Sequence, residues 1–272
     1  MNYEYVKDAA EYIRAQMKET AEVGIVLGSG LGGLVDVMED RQIIPYAEIP
    51  HFPLSHLAGH AGNLVIGKIG HTCVMAMQGR FHYYQGFTME QVAFPIYVMK
   101  MTGVKKLIVT NACGGINPTF RPGDLMLITD YINMLSFNPL IGTNDERFGV
   151  QFPDMSEPYD KAWMEEAEKT ADSLQIHLQK GVYYYFPGPC YETAAEIRAI
   201  KALGGDATGM STVPETIAAN YLGMKVLGIA CITNMATGIA ATKHTHEEVL
   251  AIADQAGEKL CLLVKTLLEK EN

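Results

Sequence analysis

Long uncharged apolar runs are absent from the chain, and its first residues, MNYEYVKDAAEYIRAQMKE, form a charged amphipathic stretch. A membrane-spanning helix needs about 20 consecutive apolar residues, and a secretory signal peptide needs an uncharged apolar core of about 7–15. Because the sequence shows neither, we expect a cytoplasmic protein that has no membrane partner.

Cysteine is scarce and scattered. The five cysteines are odd in number, widely spaced and form no CxxC pair: Cys73, Cys113, Cys190, Cys231 and Cys261. This pattern is typical of reduced core thiols rather than of a disulfide framework. Histidines occur together at positions 51, 56 and 60 and at 244 and 246, but no cysteine or acidic partners complete a ligand set. We therefore expect no metal.

Positive charge is also limited, with 21 Lys and Arg against 31 Asp and Glu, a formal net charge of -10. No basic stripe is present to neutralise a phosphate backbone, which argues against a nucleic-acid partner. A small anion remains a possible ligand, because a few donors focused in a cleft can outweigh a modest net charge of the same sign.

The pattern of apolar residues predicts an α/β protein. Apolar runs typical of buried strands occur at 23–27, 64–70, 73–79, 106–110, 124–130, 182–186 and 226–233, and amphipathic stretches predict helices at 3–19, 88–102, 160–173, 193–203, 214–222 and 245–269. Three of these helices begin with a capping box: Thr88 with Gln91, Thr193 with Glu196 and Thr245 with Glu248. Continuous apolar strands imply a mixed or largely parallel sheet covered by helices on both faces. We find no repeat or linker and predict one domain over residues 1–272.

Polar residues follow several of the predicted strands: Gly28-Ser29-Gly30, Arg80-Phe81-His82, Asn111-Ala112, Tyr191-Glu192 and Asn234. In open α/β sheets, ligands bind beyond the carboxyl ends of the strands, so these side chains are expected to meet at one rim. The stretch 131–159 has weak periodicity and many turn residues, and a loop of that length is typical of a lid or a subunit contact.

The segment GSGLGG at 28–33 directly follows a strand. It satisfies the GxGxxG pattern of dinucleotide sites, which also need a second strand ending in an acid about 20 positions on. Prolines at 45, 50 and 53 interrupt that region. A glycine turn whose backbone N–H groups and Ser29 hydroxyl bind an anion is the preferred interpretation, and a plain tight turn is the alternative.

The segment QGRFHYYQG at 78–86 alternates Arg80, His82 and Tyr84, which would share one face if the chain were extended. A guanidinium fits phosphate oxygens, and a neighbouring histidine can add a further bond. A surface strand with aromatic neighbours is the alternative. In GMSTVPE at 209–215, Thr212 and Glu215 have capping-box spacing, and Ser211 would lie at a positive helix end, as an anion donor or as a plain cap.

Two further segments present groups suited to a purine. Glu192, between a strand and a capped helix, could accept from a guanine-like N1–H and amino group, and Tyr191 offers a ring to stack on. The alternative for Glu192 is an acid that merely suits the helix dipole. Asn234 ends a strand, and its amide can both donate and accept, although asparagine more often forms turns.

Taken together, these segments resemble the trimeric class of purine nucleoside phosphorylases. The matching segments span nearly the whole chain in order: GSGLGG at 28–33, GHAG at 59–62, QGRFHYYQG at 78–86, TNACGGINP at 110–118, NDERFG at 144–149, GPCYET at 188–193, GMSTVPE at 209–215, CITN at 231–234 and HEEVL at 246–250. The resemblance implies the nucleoside phosphorylase fold, with a mixed, partly barrel-like central sheet flanked by helices.

The resemblance also implies a site. Phosphate would be held by Ser29, His60, Arg80, His82, Ala112 and Ser211; the sugar by Tyr84, Met210, His246 and Phe148 of a neighbouring subunit; and the base by Tyr191, Glu192, Met210, Asn234 and Val249. The catalytic roles would fall to His82, Glu192 and Asn234. The long loop around Phe148 would then contact a second subunit, which makes a homotrimer functional.

The implied reaction is reversible phosphorolysis of purine ribonucleosides and 2'-deoxyribonucleosides in purine salvage, with inorganic phosphate as co-substrate and no cofactor. An amide at Asn234 suits 6-oxopurines such as those of inosine and guanosine. Gln85 stands where the better-known animal pattern has Glu, and Tyr191 where it has Phe, so a preference for xanthosine stays open. A hydrolase that uses water and a nucleoside-binding protein without catalysis also stay open as functions of this chain.

Overall fold

The computed structural model describes residues 1–28, 32–54, 61–134, 137–142, 145–239 and 246–271, and for residues 246–250 it describes the backbone only. Its strands are β1 (Val23–Val26), β2 (Glu39–Pro45), β3 (Asn63–Ile69), β4 (Thr72–Gln78), β5 (Lys106–Gly115), β6 (Leu125–Ile132), β7 (Leu178–Tyr185), β8 (Ala207–Gly209) and β9 (Lys225–Met235). Its helices are α1 (Tyr3–Gln16), α2 (Met89–Thr102), α3 (Lys161–Ser173), α4 (Ala194–Ala202), α5 (Val213–Tyr221) and α6 (His246–Glu269).

These strands form one mixed sheet in the order β2-β3-β4-β1-β5-β8-β7-β6-β9. An additional parallel pairing of β5 with β9 closes β5, β8, β7, β6 and β9 into a ring. The neighbours β4, β1, β5 and β9 run parallel, whereas β8 is antiparallel to β5 and β6 is antiparallel to β9. The predicted mixed, partly barrel-like sheet is therefore confirmed.

Helices cover both faces of the sheet, as its apolar strands require. On one face, α1, α2 and α5 bury Val6, Phe94 and Ile217 in a single core cluster with strand residues. On the other face, α3 and α6 bury Trp163 and Leu263 in a second cluster. None of the described helices is long and apolar enough to cross a membrane.

The capping boxes mark the helix starts in two of the three predicted cases. Thr88 accepts from the Gln91 amide, and Thr193 accepts from the Glu196 amide, with the reciprocal side-chain bond present in both. Thr245 lies outside the described residues. At α5, Thr212 occupies the N-cap position that its spacing from Glu215 indicated, but the Thr212 side chain makes no capping hydrogen bond.

Two strands were missed by the pattern of apolar residues. Strand β2 is an edge strand whose EDRQ start is largely exposed and which ends at Pro45, so it carries little apolar signal. Strand β8 has three residues, too few to show a period. In contrast, β5 is longer than predicted, so Asn111 and Ala112 lie inside the strand rather than after it.

The backbone of β5 allows no side chain at Gly28. A Cβ there would lie 2.8 Å from the Asn111 Cα and 2.9 Å from the Thr110 carbonyl oxygen. We expect Gly28→Ala to lower the free energy of unfolding by about 1–3 kcal/mol, measured by chemical denaturation, because backbone must move. The matched control is Gly33→Ala, whose nearest contact would be the Cys261 sulfur at 3.9 Å. Equal stability of the two variants would contradict this account of the glycine turn.

Candidate active site

The parallel strands β4, β1, β5 and β9 present their carboxyl ends at one edge of the sheet. Gly28 follows β1 and donates its N–H to the Thr110 hydroxyl on β5 at 3.0 Å. Arg80 follows β4, and Asn234 lies near the end of β9. These predicted site residues therefore share a rim, which is where a ligand binds in such sheets.

The glycine motif does not begin a dinucleotide-binding unit. After β1 the chain forms a 3-10 helix at Gly32–Val37 and then β2, which pairs antiparallel with β3. A dinucleotide fingerprint needs a parallel strand-helix-strand unit, so the structure argues against that alternative. Ser29, the predicted phosphate donor of this motif, lies outside the described residues.

Arg80 is almost completely buried, with a 2% exposed side chain. Its Nε donates to Glu215 Oε1 at 2.9 Å, its Nη2 lies 2.8 Å from the same oxygen, and its Nη1 donates to the Thr110 carbonyl. The guanidinium is thus fixed between β5 and α5. A buried charge needs such a partner, because leaving water without one costs several kcal/mol.

Glu215 is the functional neighbour that the sequence interpretation missed, since its spacing from Thr212 suggested a cap. The carboxylate points instead into the interior, where it is 3% exposed and paired with Arg80. One signal could have found it. Glu215 lies in VPETIAANY, a helix that is otherwise almost entirely apolar or small, and a lone acid in a buried helix requires a cationic partner.

Ser211 and Thr212 follow β8 in an unusual backbone conformation. Thr212 has φ +77°, rare for a β-branched residue, and it is fully buried. Asn111 on β5 holds it by donating from Nδ2 to the Thr212 hydroxyl at 2.9 Å. The Ser211 hydroxyl lies 3.2 Å from that of Thr212 and is 8% exposed. Backbone strain of this kind concentrates at functional sites, where it fixes the direction of a side chain.

His82 and Tyr84 lie together, although the chain beyond His82 is not extended, which was the condition stated for a shared face. The chain turns into a 3-10 helix at Tyr83–Gln85, yet the His82 and Tyr84 rings stack with centroids 4.7 Å apart. Gln85 Oε1 accepts from the His82 amide at 2.9 Å and lies 3.3 Å from the His82 Nδ1. Gln85 stands where the animal pattern has Glu, so the His82 imidazole has a neutral amide beside it at this position.

Tyr84 and Met210 contact the same glycine. A Cβ at Gly188 would lie 2.5 Å from the Met210 sulfur and 3.3 Å from a Tyr84 ring carbon. The structure thus brings together two predicted sugar contacts from distant parts of the sequence. Burial raises the pKa of Tyr84, while the nearby Arg80 charge lowers it. Its phenol is therefore neutral at physiological pH.

Glu192 directly precedes the Thr193 cap of α4 and is 5% exposed. Its Oε1 accepts a 2.6 Å hydrogen bond from the Thr208 hydroxyl on β8. Burial raises the pKa of Glu192, and the Thr208 hydrogen bond opposes that shift. The alternative that Glu192 merely suits the helix dipole is therefore incomplete, because the buried Thr208 hydroxyl donates directly to its carboxylate.

The strand register places Asn234 close to Thr208. Gly114 pairs with Thr208 on one side and with Asn234 on the other. Paired residues on neighbouring strands present their side chains on the same face, so Thr208 and Asn234 flank a position without a side chain. The Thr233 hydroxyl lies 3.0 Å from Asn234 Oδ1 and 3.2 Å from the Cys113 carbonyl oxygen, so its single proton is available to either acceptor. Glu192 and Asn234 thus stand on opposite sides of Gly114.

Of the remaining predicted site residues, the structure describes two, Tyr191 and Phe148. Tyr191 is 58% exposed beside Glu192, and Phe148 packs against Tyr97 and Tyr3 of its own chain with ring centroids 4.9 and 5.3 Å apart. Described positions do not include Ser29 or His60, nor the side chains of His246 and Val249. Among the described residues no group of three or more His, Cys, Asp or Glu side chains could hold a metal.

The profile of the phosphorylase superfamily matches residues 22–269. The chain belongs to this family. It is 51% identical to purine nucleoside phosphorylase 1 of Bacillus subtilis, over 97% of each chain, and 46% identical to the purine nucleoside phosphorylase of Bos taurus, over 98% of this chain and 94% of the other.

Solved structures place the fold in the same family. The structure of Schistosoma mansoni purine nucleoside phosphorylase in complex with adenosine matches with a TM-score of 0.95 and 39% identity, over 100% of this chain and 98% of the other. This similarity confirms the predicted nucleoside phosphorylase fold.

Removing one partner of the Arg80–Glu215 pair should strongly destabilise the protein, because the other charge stays buried. We expect Glu215→Gln to lower the free energy of unfolding by about 3–5 kcal/mol, because it leaves the Arg80 charge buried with only a neutral partner. Chemical denaturation measures this change. The control, Glu157→Gln, breaks an exposed pair with Lys161 and should have little effect. A Glu215→Gln protein as stable as the control would refute the importance of the pair.

Proposed function

We propose that the protein is a purine nucleoside phosphorylase that catalyses reversible phosphorolysis of 6-oxopurine ribonucleosides and 2'-deoxyribonucleosides, such as inosine and guanosine, in purine salvage. The products are the purine base and a pentose 1-phosphate. The observation that carries the proposal is that β5 links the two sets of candidates in a member of the phosphorylase superfamily. Its Thr110 and Asn111 hold Arg80 and the Thr212 next to Ser211, and its Gly114 pairs with Asn234 and with the Thr208 that donates to Glu192. The relatives named above support it, since both are purine nucleoside phosphorylases.

Phosphate would bind at the end of the site formed by Arg80 and Ser211. Arg80 supplies a fixed positive charge, and the strained Thr212 backbone orients the Ser211 hydroxyl. We assign the further phosphate contacts to Ser29, His60, His82 and the backbone of Ala112, following the family motifs. Gly28, which directly precedes Ser29 in the sequence, is held against β5 by its N–H donation to the Thr110 hydroxyl.

The nucleoside would lie across the rest of the rim. Tyr84 and Met210 lie against Gly188 and suit the sugar, together with His246 and with Phe148 of a neighbouring subunit. The base would lie over Gly114 between Glu192 and Asn234, with Tyr191 and Val249 lining its pocket. Glu192 accepts from purine N–H groups, and Asn234 recognises the N7 and 6-oxo edge.

The chemistry follows from where charge develops. Breaking the glycosidic bond builds positive charge on the sugar and negative charge on the departing purine, and preorganised groups lower that barrier. Phosphate stabilises the positive sugar and then attacks its anomeric carbon. Holding the nucleophile in line contributes several kcal/mol in well-aligned cases. Asn234 stabilises the purine as charge accumulates at N7, an interaction that strengthens in the transition state.

The same family motifs support a homotrimer in which Phe148 serves the neighbouring site. The reaction uses inorganic phosphate as co-substrate, and we propose that it needs no metal or organic cofactor. Reduced cysteines are consistent with a cytoplasmic enzyme, and all five are unbridged thiols here.

Dependence on phosphate is the first test. We expect purified protein at pH 7 to release base from inosine and guanosine only when phosphate is present, with the pentose recovered as the 1-phosphate. Xanthosine and adenosine, assayed in parallel, establish the purine preference. Activity unchanged without phosphate would identify a hydrolase, and tight inosine binding without turnover would identify a binding protein.

Asn234→Asp tests the base assignment. Because a site built for one hydrogen-bond pattern rejects another, we expect kcat/KM for inosine to fall at least about 100-fold. The KM for phosphate should change by less than about threefold, since Asn234 lies at the other end of the site. The matched control is Asn138→Asp, on an exposed turn. Equal losses in purine turnover and phosphate binding would count against the assigned role.

A further inference from the structure

The hydrogen bond between Thr208 and Glu192 joins two buried side chains, 3% and 5% exposed. The Thr208 hydroxyl donates to Glu192 Oε1 at 2.6 Å. A hydrogen bond to a charged acceptor inside a protein is stronger than one between neutral groups, and removing it leaves the charge poorly compensated. The contact therefore matters to any ligand that Glu192 binds.

Thr208 is held rigidly. It lies at the middle of β8, paired with Gly114 on β5 and with Tyr184 on β7. Glu192, in contrast, lies in the segment between β7 and α4. A strand residue flanked by strands on both sides can fix the orientation of a side chain supplied by a connecting segment. The hydroxyl thus anchors Glu192 to the sheet that also carries Asn234.

Within the described part of the chain, the ionisable groups that interact with Glu192 do not favour its charged form. They are the Glu196 carboxylate on α4, the Tyr184 phenol on β7 and the Cys113 thiol on β5. Burial and Glu196 both raise the pKa of Glu192, whereas Thr208 and the backbone amide of Glu192 lower it. Among the described residues, Thr208 is therefore the side chain that favours the carboxylate form.

We infer that Thr208 is a positioning residue for purine recognition, which holds the Glu192 carboxylate so that both of its oxygens can face a base that carries two adjacent donors. The inference rests on the proposed function, which assigns the base to Glu192. Guanine presents an N1–H and an amino group on that edge, whereas hypoxanthine presents the N1–H alone. Two parallel hydrogen bonds require a fixed carboxylate plane, and one bond tolerates rotation.

Thr208→Val removes the hydroxyl and keeps the shape. We expect kcat/KM for guanosine to fall about tenfold more than that for inosine, the size of one lost hydrogen bond to a charged group. Thr208→Ser, which keeps the hydroxyl, should retain the wild-type ratio. Thr72→Val is the second control, because it removes a buried hydroxyl that donates to the Leu268 carbonyl, away from the site. Thr208→Ala replaces Thr208→Val if that variant fails to fold.

The pH profile separates positioning from a structural role. Glu192 must be deprotonated to accept from the base, so activity is lost as pH falls through its pKa. Because the Thr208 bond lowers that pKa, its removal should move the acidic limb of kcat/KM to higher pH. Thr208→Ser and Thr72→Val should leave the limb in place. Equal losses for both nucleosides with an unmoved limb would overturn the inference.

Binding of guanine and hypoxanthine by calorimetry distinguishes this inference from the proposed function. A wild-type protein that binds both bases but does not cleave nucleosides would refute the proposed function alone. The guanine-to-hypoxanthine affinity ratio in Thr208→Val would then support the inference if it falls and overturn it if it is unchanged. A wild-type protein that binds neither base would overturn both.

Discussion

The buried pair of Arg80 and Glu215 is the constraint on which the site depends. It ties the segment after β4 to the first turn of α5, and the Thr110 carbonyl ties the same guanidinium to β5. Buried ion pairs often contribute little net stability, because desolvation offsets their attraction. What this pair supplies is a cation with a fixed direction. An exposed arginine could reach an anion as well, but only after losing the freedom of its side chain.

The strained backbone at Thr212 follows from the same arrangement. Thr212 lies between β8 and the helix that carries Glu215, and Asn111 on β5 holds its hydroxyl. The cost of a positive φ at a β-branched residue is of order 1–3 kcal/mol, and the surrounding packing must offset it. In return, β5 holds both candidate anion donors. Thr110 accepts from the Arg80 guanidinium. Asn111 holds the Thr212 hydroxyl, which in turn lies 3.2 Å from the Ser211 hydroxyl.

The parts of the fold that have local causes are predictable from the sequence. Apolar strands and the capping boxes at Thr88 and Thr193 carry their signals within a few residues. The closure of the ring by β5 and β9 and the pairing of Arg80 with Glu215 depend on residues more than 100 positions apart, so no local period reveals them. The spacing of Glu215 from Thr212 fits a capping box, which is a local rule. In the structure the Glu215 carboxylate is buried and pairs with Arg80 instead.

The two halves of the site are held by different kinds of interaction, and this difference bears on how specificity can change. In the proposed anion half, the ion pair of Arg80 and Glu215 fixes the guanidinium, and losing either partner leaves the other as an unpaired buried charge. In the proposed base half, the neutral Thr208 hydroxyl donates to Glu192, and the Thr233 hydroxyl lies within hydrogen-bond distance of Asn234. A hydroxyl can be gained or lost at modest cost to the fold. Under the proposed assignment, base preference can therefore vary through residues such as Thr208 while the phosphate end stays constant, so that one scaffold keeps its reaction and differs in its purine.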